Sequence, residues 1–220
     1  MVHRWTPITL DYWVRNKIGF EIGGPSQHTW GTLGVYDQAA KIDVTNFAAS
    51  TLWEKGLQDE SIFMWNNHPR GTQYVRDGVN LTGIRSDYYD FVLASHVIEH
   101  IANPFKALLE WIRILRSGGF LMIIVPFKDV TFDHKRKVVR IEHLIHDYHS
   151  HIAETDLSHL EDILRLHDLS RDPPAGDINS FRARSEKNFQ NRGLHHHVYD
   201  QKLLYDICIC LNLNVTIQYT

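Results

Sequence analysis

YDFVLASHVIEHIANPFKALLEWIRILRSGGFLMIIVP, residues 89–126, is the stretch that decides the fold. It opens on an apolar run, Tyr89 to Ala94, with Asp87 and Asp90 flanking its start. A helical stretch follows from Pro104 to Leu115, in which Phe105, Leu108, Leu109, Ile112 and Leu115 recur at the spacing of one helix face. Gly118-Gly119 is expected to stop that helix. Phe120 to Val125 is then an unbroken apolar strand of the kind buried on both faces in a parallel sheet. Strand, helix and strand in this order predict an α/β fold.

Upstream, Ile18 to Ile22 reads as a first short strand, closed by Gly23-Gly24-Pro25-Ser26. Lys41 to Val44 is a second strand, and Gln73 to Arg76 a third that ends at Asp77-Gly78. Tyr89 to Ala94 and Phe120 to Val125 then become the fourth and fifth. Downstream, residues 128–193 turn charged and histidine-rich, with Pro173-Pro174-Ala175-Gly176 in their midst. A segment of that length after the fifth strand is read as an insertion with short helices, such as Leu157 to Leu166, rather than as a separate domain. Asp200 is placed to N-cap a helix over Gln201 to Leu211, and Asn214 to Tyr219 reads as a last strand. One Rossmann-like domain over residues 1–220 is the expectation: a mostly parallel sheet, flanking helices, and residues 128–193 as a lid.

The bulk figures narrow the class. With 220 residues and 43% hydrophobic content the chain can bury a sizeable core. A formal charge of −3 argues against a general nucleic-acid surface, so nucleic acid is not the expected partner. Cys208 and Cys210 provide neither a disulfide framework nor a four-ligand zinc site. The longest apolar run falls well short of the roughly 20 residues that cross a bilayer. Met1-Val-His-Arg-Trp5 leads into mixed polar sequence without the pattern of a secretory signal, so a cytoplasmic protein is expected.

Residues 90–126 resemble class I methyltransferases that use S-adenosylmethionine, most closely the branch typified by ubiquinone-pathway enzymes. Asp-Phe-Val-Leu, Ile-Glu-His-Ile-Ala-Asn-Pro, a helix, Leu-Arg-Ser-Gly-Gly and Leu-Met-Ile-Ile-Val-Pro follow one another at the family's spacing. The resemblance covers about residues 18 to 127 and again 195 to 219. It implies S-adenosylmethionine beyond the carboxyl ends of the strands. Glu21 would lie near the cofactor's amino-acid end with Gly23 and Gly24 beneath it, and Asp43 would accept from the ribose hydroxyls. Asp77 and Gly78 would flank the adenine, while Ser95 and His96 would face the sulfonium. Pro25-Ser26 departs from the family, which carries a further glycine there. The family also adds an antiparallel seventh strand, for which no segment follows, so that sheet edge is expected to be filled differently.

Of the 15 histidines, ten fall between His134 and His197. His96, Glu99 and His100 would share a face if the turn after the fourth strand is helical. The small-RNA 2′-O-methyltransferases carry a similar Glu-His pair, with a further histidine after the insertion, and use them to hold a metal. Glu99, His100 and His195 are therefore candidate ligands of a divalent metal. A histidine acting as general base is the preferred alternative, with His96, His100, His195 and His134 as candidates. A base matters when the acceptor is a hydroxyl, and so the histidines point to O-methylation of a small molecule or a sugar-containing product. Two other readings compete: a non-catalytic binding or scaffold protein on the same fold, and a nicotinamide-dependent oxidoreductase. The second needs G-x-G-x-x-G at the first turn, where the chain reads Gly-Gly-Pro-Ser-Gln-His.

Overall fold

A computed structural model describes residues 7–214. Its strands are β1 (Ile18–Ile22), β2 (Lys41–Asn46), β3 (Ser61–Trp65), β4 (His68–Val75), β5 (Tyr89–Ser95) and β6 (Leu115–Ile124). The helices are α1 (Pro7–Val14), α2 (Val35–Gln38), α3 (Pro104–Ile114), α4 (Ile141–His149), α5 (Leu160–Leu166), α6 (Ile178–Ser185), α7 (Asn188–Asn191) and α8 (Gln201–Cys210). The described residues form two compact units, one of residues 7–98 and 106–124, the other of residues 99–105 and 125–214. The expected insertion lies within the second unit, which also takes in Glu99–Phe105 and α8.

In the first unit a six-stranded sheet runs β3-β4-β2-β1-β5-β6, parallel throughout except for the antiparallel pair β3 and β4. Neighbouring residues in a parallel register share a face. Ile42, Phe91, Val44 and Leu93 accordingly turn to one side, where Leu10, Val14, Val35 and Tyr36 cover them. Trp111 of α3 is fully buried and donates its indole N–H to the Gly78 carbonyl at 2.9 Å. That bond satisfies a polar group which burial would otherwise leave unpaired.

Three readings are corrected here. The third strand is longer than Gln73 to Arg76 and belongs to a hairpin whose turn, Asn66-Asn67, has both residues at positive φ. Asparagine tolerates that conformation, which two-residue hairpins require. Gly118-Gly119 does not stop the helix, which ends at Ile114. The pair lies inside β6, where the register jumps from Tyr89↔Leu115 to Phe91↔Phe120, and Gly118 takes φ 77°. β6 is not buried on both faces. Among the described residues it is an edge strand, and Phe120 to Ile124 are half-buried. The expected last strand over 214–219 lies outside the described residues apart from Asn214.

The second unit has its own core of Leu160, Ile163, Leu164, Ala175, Phe181 and Leu194. Asp200 caps α8 as expected, accepting from Leu203 N–H at 2.8 Å. Among the described residues no helix is long and apolar enough to cross a membrane.

The β2–β4 seam depends on a missing side chain. A Cβ on Gly71 would stand 1.9 Å from the Ile42 carbonyl oxygen and 2.8 Å from Asp43 Oδ1. Gly71→Ala must therefore spread the two strands, and we expect it to cost about 3 kcal/mol. Urea unfolding of the variant checks this, and an unchanged midpoint would refute the close approach.

Candidate functional site

Parallel strands in register finish on one edge. Ile22 pairs with Thr45 and Ala94, Asn46 with Val75, and Ser95 with Ile124, so the turns after β1, β2, β4 and β5 line the carboxyl edge of the first unit. The first turn is drawn tight. Gly23 takes φ 71° and is exposed, and a Cβ on it would meet Val97 at 2.8 Å. Its N–H donates to the Thr45 carbonyl at 2.8 Å, and the Asn46 amide donates to the Gly24 carbonyl at 2.8 Å.

Glu21 lies under this turn, fully buried. Oε1 accepts from the Thr29 hydroxyl at 2.8 Å and from the Ser26 N–H at 3.4 Å, while Oε2 accepts from the Tyr36 hydroxyl. Burial raises its carboxyl to about 7 against the pull of these donors. Its two oxygens are thus engaged within the chain, where they brace the turn.

Asp43 is not at the end of the second strand, because β2 continues through Thr45 to Asn46. Its buried carboxylate takes the Thr72 N–H at 2.6 Å, the Tyr89 hydroxyl at 2.7 Å and the Lys41 ammonium at 2.9 Å. The strand-end position belongs to Asn46. Asp77 and Gly78 do follow β4 at the carboxyl edge, and Asp77 accepts from the Val79 N–H at 3.2 Å. Ser95 closes β5 with its hydroxyl 3.4 Å from His28 Nδ1. His96 is exposed, adopts φ 54° and stacks on His28 with centroids 4.8 Å apart. The left-handed residue breaks the helical register that would have put His96 on one face with Glu99 and His100. His28 entered no motif and is apparent only through this stacking.

The second unit gathers Glu99, His100 and His195, whose ligand atoms lie within 4.8 Å of one another. Glu99 and His100 sit in a 3-10 turn over Ile98–His100, and His195 in the extended segment before α8. His100 Nδ1 is 3.0 Å from the Leu194 carbonyl, and His195 Nδ1 is 2.5 Å from Asp133 Oδ2. These acceptors call for N–H at Nδ1 of each ring. Arg136 fixes the arrangement, donating to Asp133 Oδ1 at 2.8 Å and to the carbonyls of His195 and His196 at 2.8 and 3.0 Å. Burial pushes the Asp133 carboxyl up, but His195 and Arg136 outweigh it and hold it at about 2. Burial lifts Glu99 to about 7, with the Asp133 charge adding to the rise and His195 opposing it. Glu99, Lys128, Asp133, His195 and Tyr199 line a small cleft. His134 is drawn elsewhere, with Nε2 2.8 Å from Asp168 Oδ2.

The family model described as a methyltransferase domain matches residues 15–171. Among solved structures, the chain is similar to the [4+2]-cyclase SpnF, at 14% identity over 82% of this chain and 72% of that one, with a TM-score of 0.41. It is similar to the trans-methyltransferase CalH in complex with SAH, at 18% identity over 53% and 33% of the two chains, TM-score 0.36. The antibiotic-resistance methyltransferase Kmr matches at 12% identity over 67% and 84%, TM-score 0.36. The chain spans about half or less of the length of the first structures it matches. No curated protein matches it.

The buried Glu21 carries a pH signature. A carboxyl raised from 4.5 to about 7 on folding stabilises fully below its unfolded value, and that stability is lost as pH rises through 7. Asp133 acts oppositely: its contribution is present above 3.8 and lost as pH falls through about 2. We expect Glu21→Gln to flatten the decline in unfolding free energy between pH 5 and pH 8, relative to wild type, by on the order of 3 kcal/mol. Parallel urea titrations at the two pH values measure it. Equal slopes for both proteins would show that Glu21 ionises without penalty.

Proposed function

From the chain's membership of the methyltransferase-domain family, we propose that it is an S-adenosylmethionine-dependent methyltransferase that methylates a hydroxyl of a small molecule. The observation that carries the hydroxyl assignment is the Asp133–His195 pair at 2.5 Å.

The carboxyl edge of the first unit suits the cofactor. Gly23 presents backbone without a side chain, and Asp77, Gly78, Ser95 and His96 follow the strand ends at which the resemblance puts adenine and sulfonium. Asn46, rather than Asp43, stands at the end of β2 for the ribose. Glu21 and Gly24 shape the turn from beneath. S-adenosylmethionine supplies a methyl group already activated on a sulfonium, with a neutral thioether as leaving group. The chain must align the acceptor and keep water away. An attacking hydroxyl must also lose its proton. His195 accepts it at Nε2, while Asp133 holds the opposite N–H and stabilises the imidazolium. Acceptor choice falls to residues 128–193, as the lid expected from the sequence.

One observation favours a second reading of the same cluster. Glu99, His100 and His195 can each offer a ligand atom to one divalent cation, and both histidines already have an acceptor on the other nitrogen. Such an ion would polarise the acceptor hydroxyl.

Transfer of labelled methyl to a panel of hydroxylated acceptors separates the two readings. With His195 as base, activity survives chelation. His195→Asn then loses ~10²–10⁴ in kcat. Activity abolished by chelator and restored by a divalent ion assigns the cluster to metal. An unchanged rate in His195→Asn would remove His195 from the chemistry under either reading.

A further inference from the structure

A second group of side chains in the same unit takes no part in the reaction just described. His143 and Asp147 lie one turn apart on α4, His159 immediately precedes α5, and His197 sits in the extended segment before α8. His143 Nε2 is 3.0 Å from His159 Nε2 and 3.3 Å from Asp147 Oδ2. His197 Nε2 is 3.2 Å from the same carboxylate oxygen. The ligand atoms of the three histidines all fall within 4.8 Å of one another. Three separate elements thus bring one imidazole nitrogen each close together.

The protons available do not satisfy this arrangement. His197 is almost fully buried, and its Nδ1 is 3.3 Å from the Ile101 carbonyl. With N–H at Nδ1 for that carbonyl, its Nε2 lone pair faces the Asp147 carboxylate, acceptor against acceptor. With the proton moved to Nε2, the carbonyl faces a lone pair instead. Neither neutral tautomer serves both acceptors. His143 Nε2 has the same difficulty, since one N–H there would have to serve both His159 and Asp147. A cation at the centre resolves every one of these contacts.

We propose that His143, His159 and His197 form a binding site for a divalent transition metal, zinc above all. Three imidazoles are a known zinc ligand set, with a water in the fourth position of the tetrahedron. Zn–N bonds of about 2.0–2.1 Å in tetrahedral geometry separate neighbouring ligand atoms by ~3.3 Å; His143 and His159 stand at 3.0 Å, and no pair among the three histidines exceeds 4.8 Å. The backbone supplies outer support. The Asn103 amide donates to the Asp147 carbonyl at 3.0 Å, and the Ile101 carbonyl orients His197 so that Nε2 points inward. The His143 side chain is 33% exposed, which gives an ion a way in, while His197 closes the inner side. An ion there would fasten α4, the start of α5 and the segment before α8 to one another.

Zinc titration of the whole chain in the Glu99→Gln background, which removes a ligand from the other cluster, tests the site. One equivalent of Zn(II) should bind, followed by calorimetry and by a rise in thermal midpoint. Co(II) in its place should show the visible absorption of a tetrahedral site. His143→Gln and His159→Gln, both at half-buried positions, should each weaken zinc binding by at least 100-fold with an unchanged circular dichroism spectrum. If His143→Gln fails to fold, His159→Gln outside the helix decides. No zinc uptake in the Glu99→Gln protein, or uptake unaffected by His159→Gln, would overturn the proposal.

Discussion

Parallel pairing of β1 with β2 and β5 is the constraint on which the first unit depends. Strands that run the same way in register must end on one edge, and their return connections must cross the faces. Ile22, Thr45 and Ala94 therefore lie side by side, and every turn that follows opens at that edge. Acidic residues embedded in these strands hold the seam from within. Glu21 is tied to Thr29, Ser26 and Tyr36 on one face, and Asp43 to Thr72, Tyr89 and Lys41 on the other. Removing either carboxylate would strand buried donors, which costs more than the mean value of a hydrogen bond.

Much of this was legible in the residues. The strands at β1 and β5, the helix that became α3 and the Asp200 cap of α8 all carry local signals that tertiary packing reinforces. The hairpin of β3 and β4 had a signal too, in Asn66-Asn67 between two β-prone runs, but Pro69 and Gly71 disguise β4. Gly71 is there because Ile42 leaves no room for a side chain, a fact about a strand distant in sequence. Asp43 shows why ligand positions are harder to read. An acidic residue near the end of a second strand has the type expected of a ribose partner. Whether it is at the end depends on two further residues, Thr45 and Asn46, whose polarity resembles a turn. The backbone at His96 was equally hidden, since nothing local announces a left-handed conformation outside glycine and asparagine.

The abundance of histidine sorts into distinct environments once the chain is folded. His28 and His96 stack at the sheet edge, His100 and His195 converge beside Glu99, and His143, His159 and His197 gather together, with Asp147 beside His143 and His197. Each of the last two groups includes a residue from the short segment 195–197, so one stretch of chain serves both clusters. Asp133 and Asp147 were not singled out in the sequence because carboxylates seldom stand out among 26 acidic residues. Their partners, His195 and His197, lie about 50 to 60 positions away and could be assigned only in three dimensions.

The central claim is that the carboxyl edge of the parallel sheet, built on the Gly23 turn, receives S-adenosylmethionine. Calorimetric titration with S-adenosylhomocysteine and, separately, with NAD tests it most directly. The account predicts saturable one-to-one binding of S-adenosylhomocysteine, no heat with NAD, and at least tenfold weaker binding in Gly23→Ala, whose added Cβ would crowd Val97 at a positive φ. Binding of NAD in place of S-adenosylhomocysteine, or no binding of either by the folded wild-type chain, would contradict it.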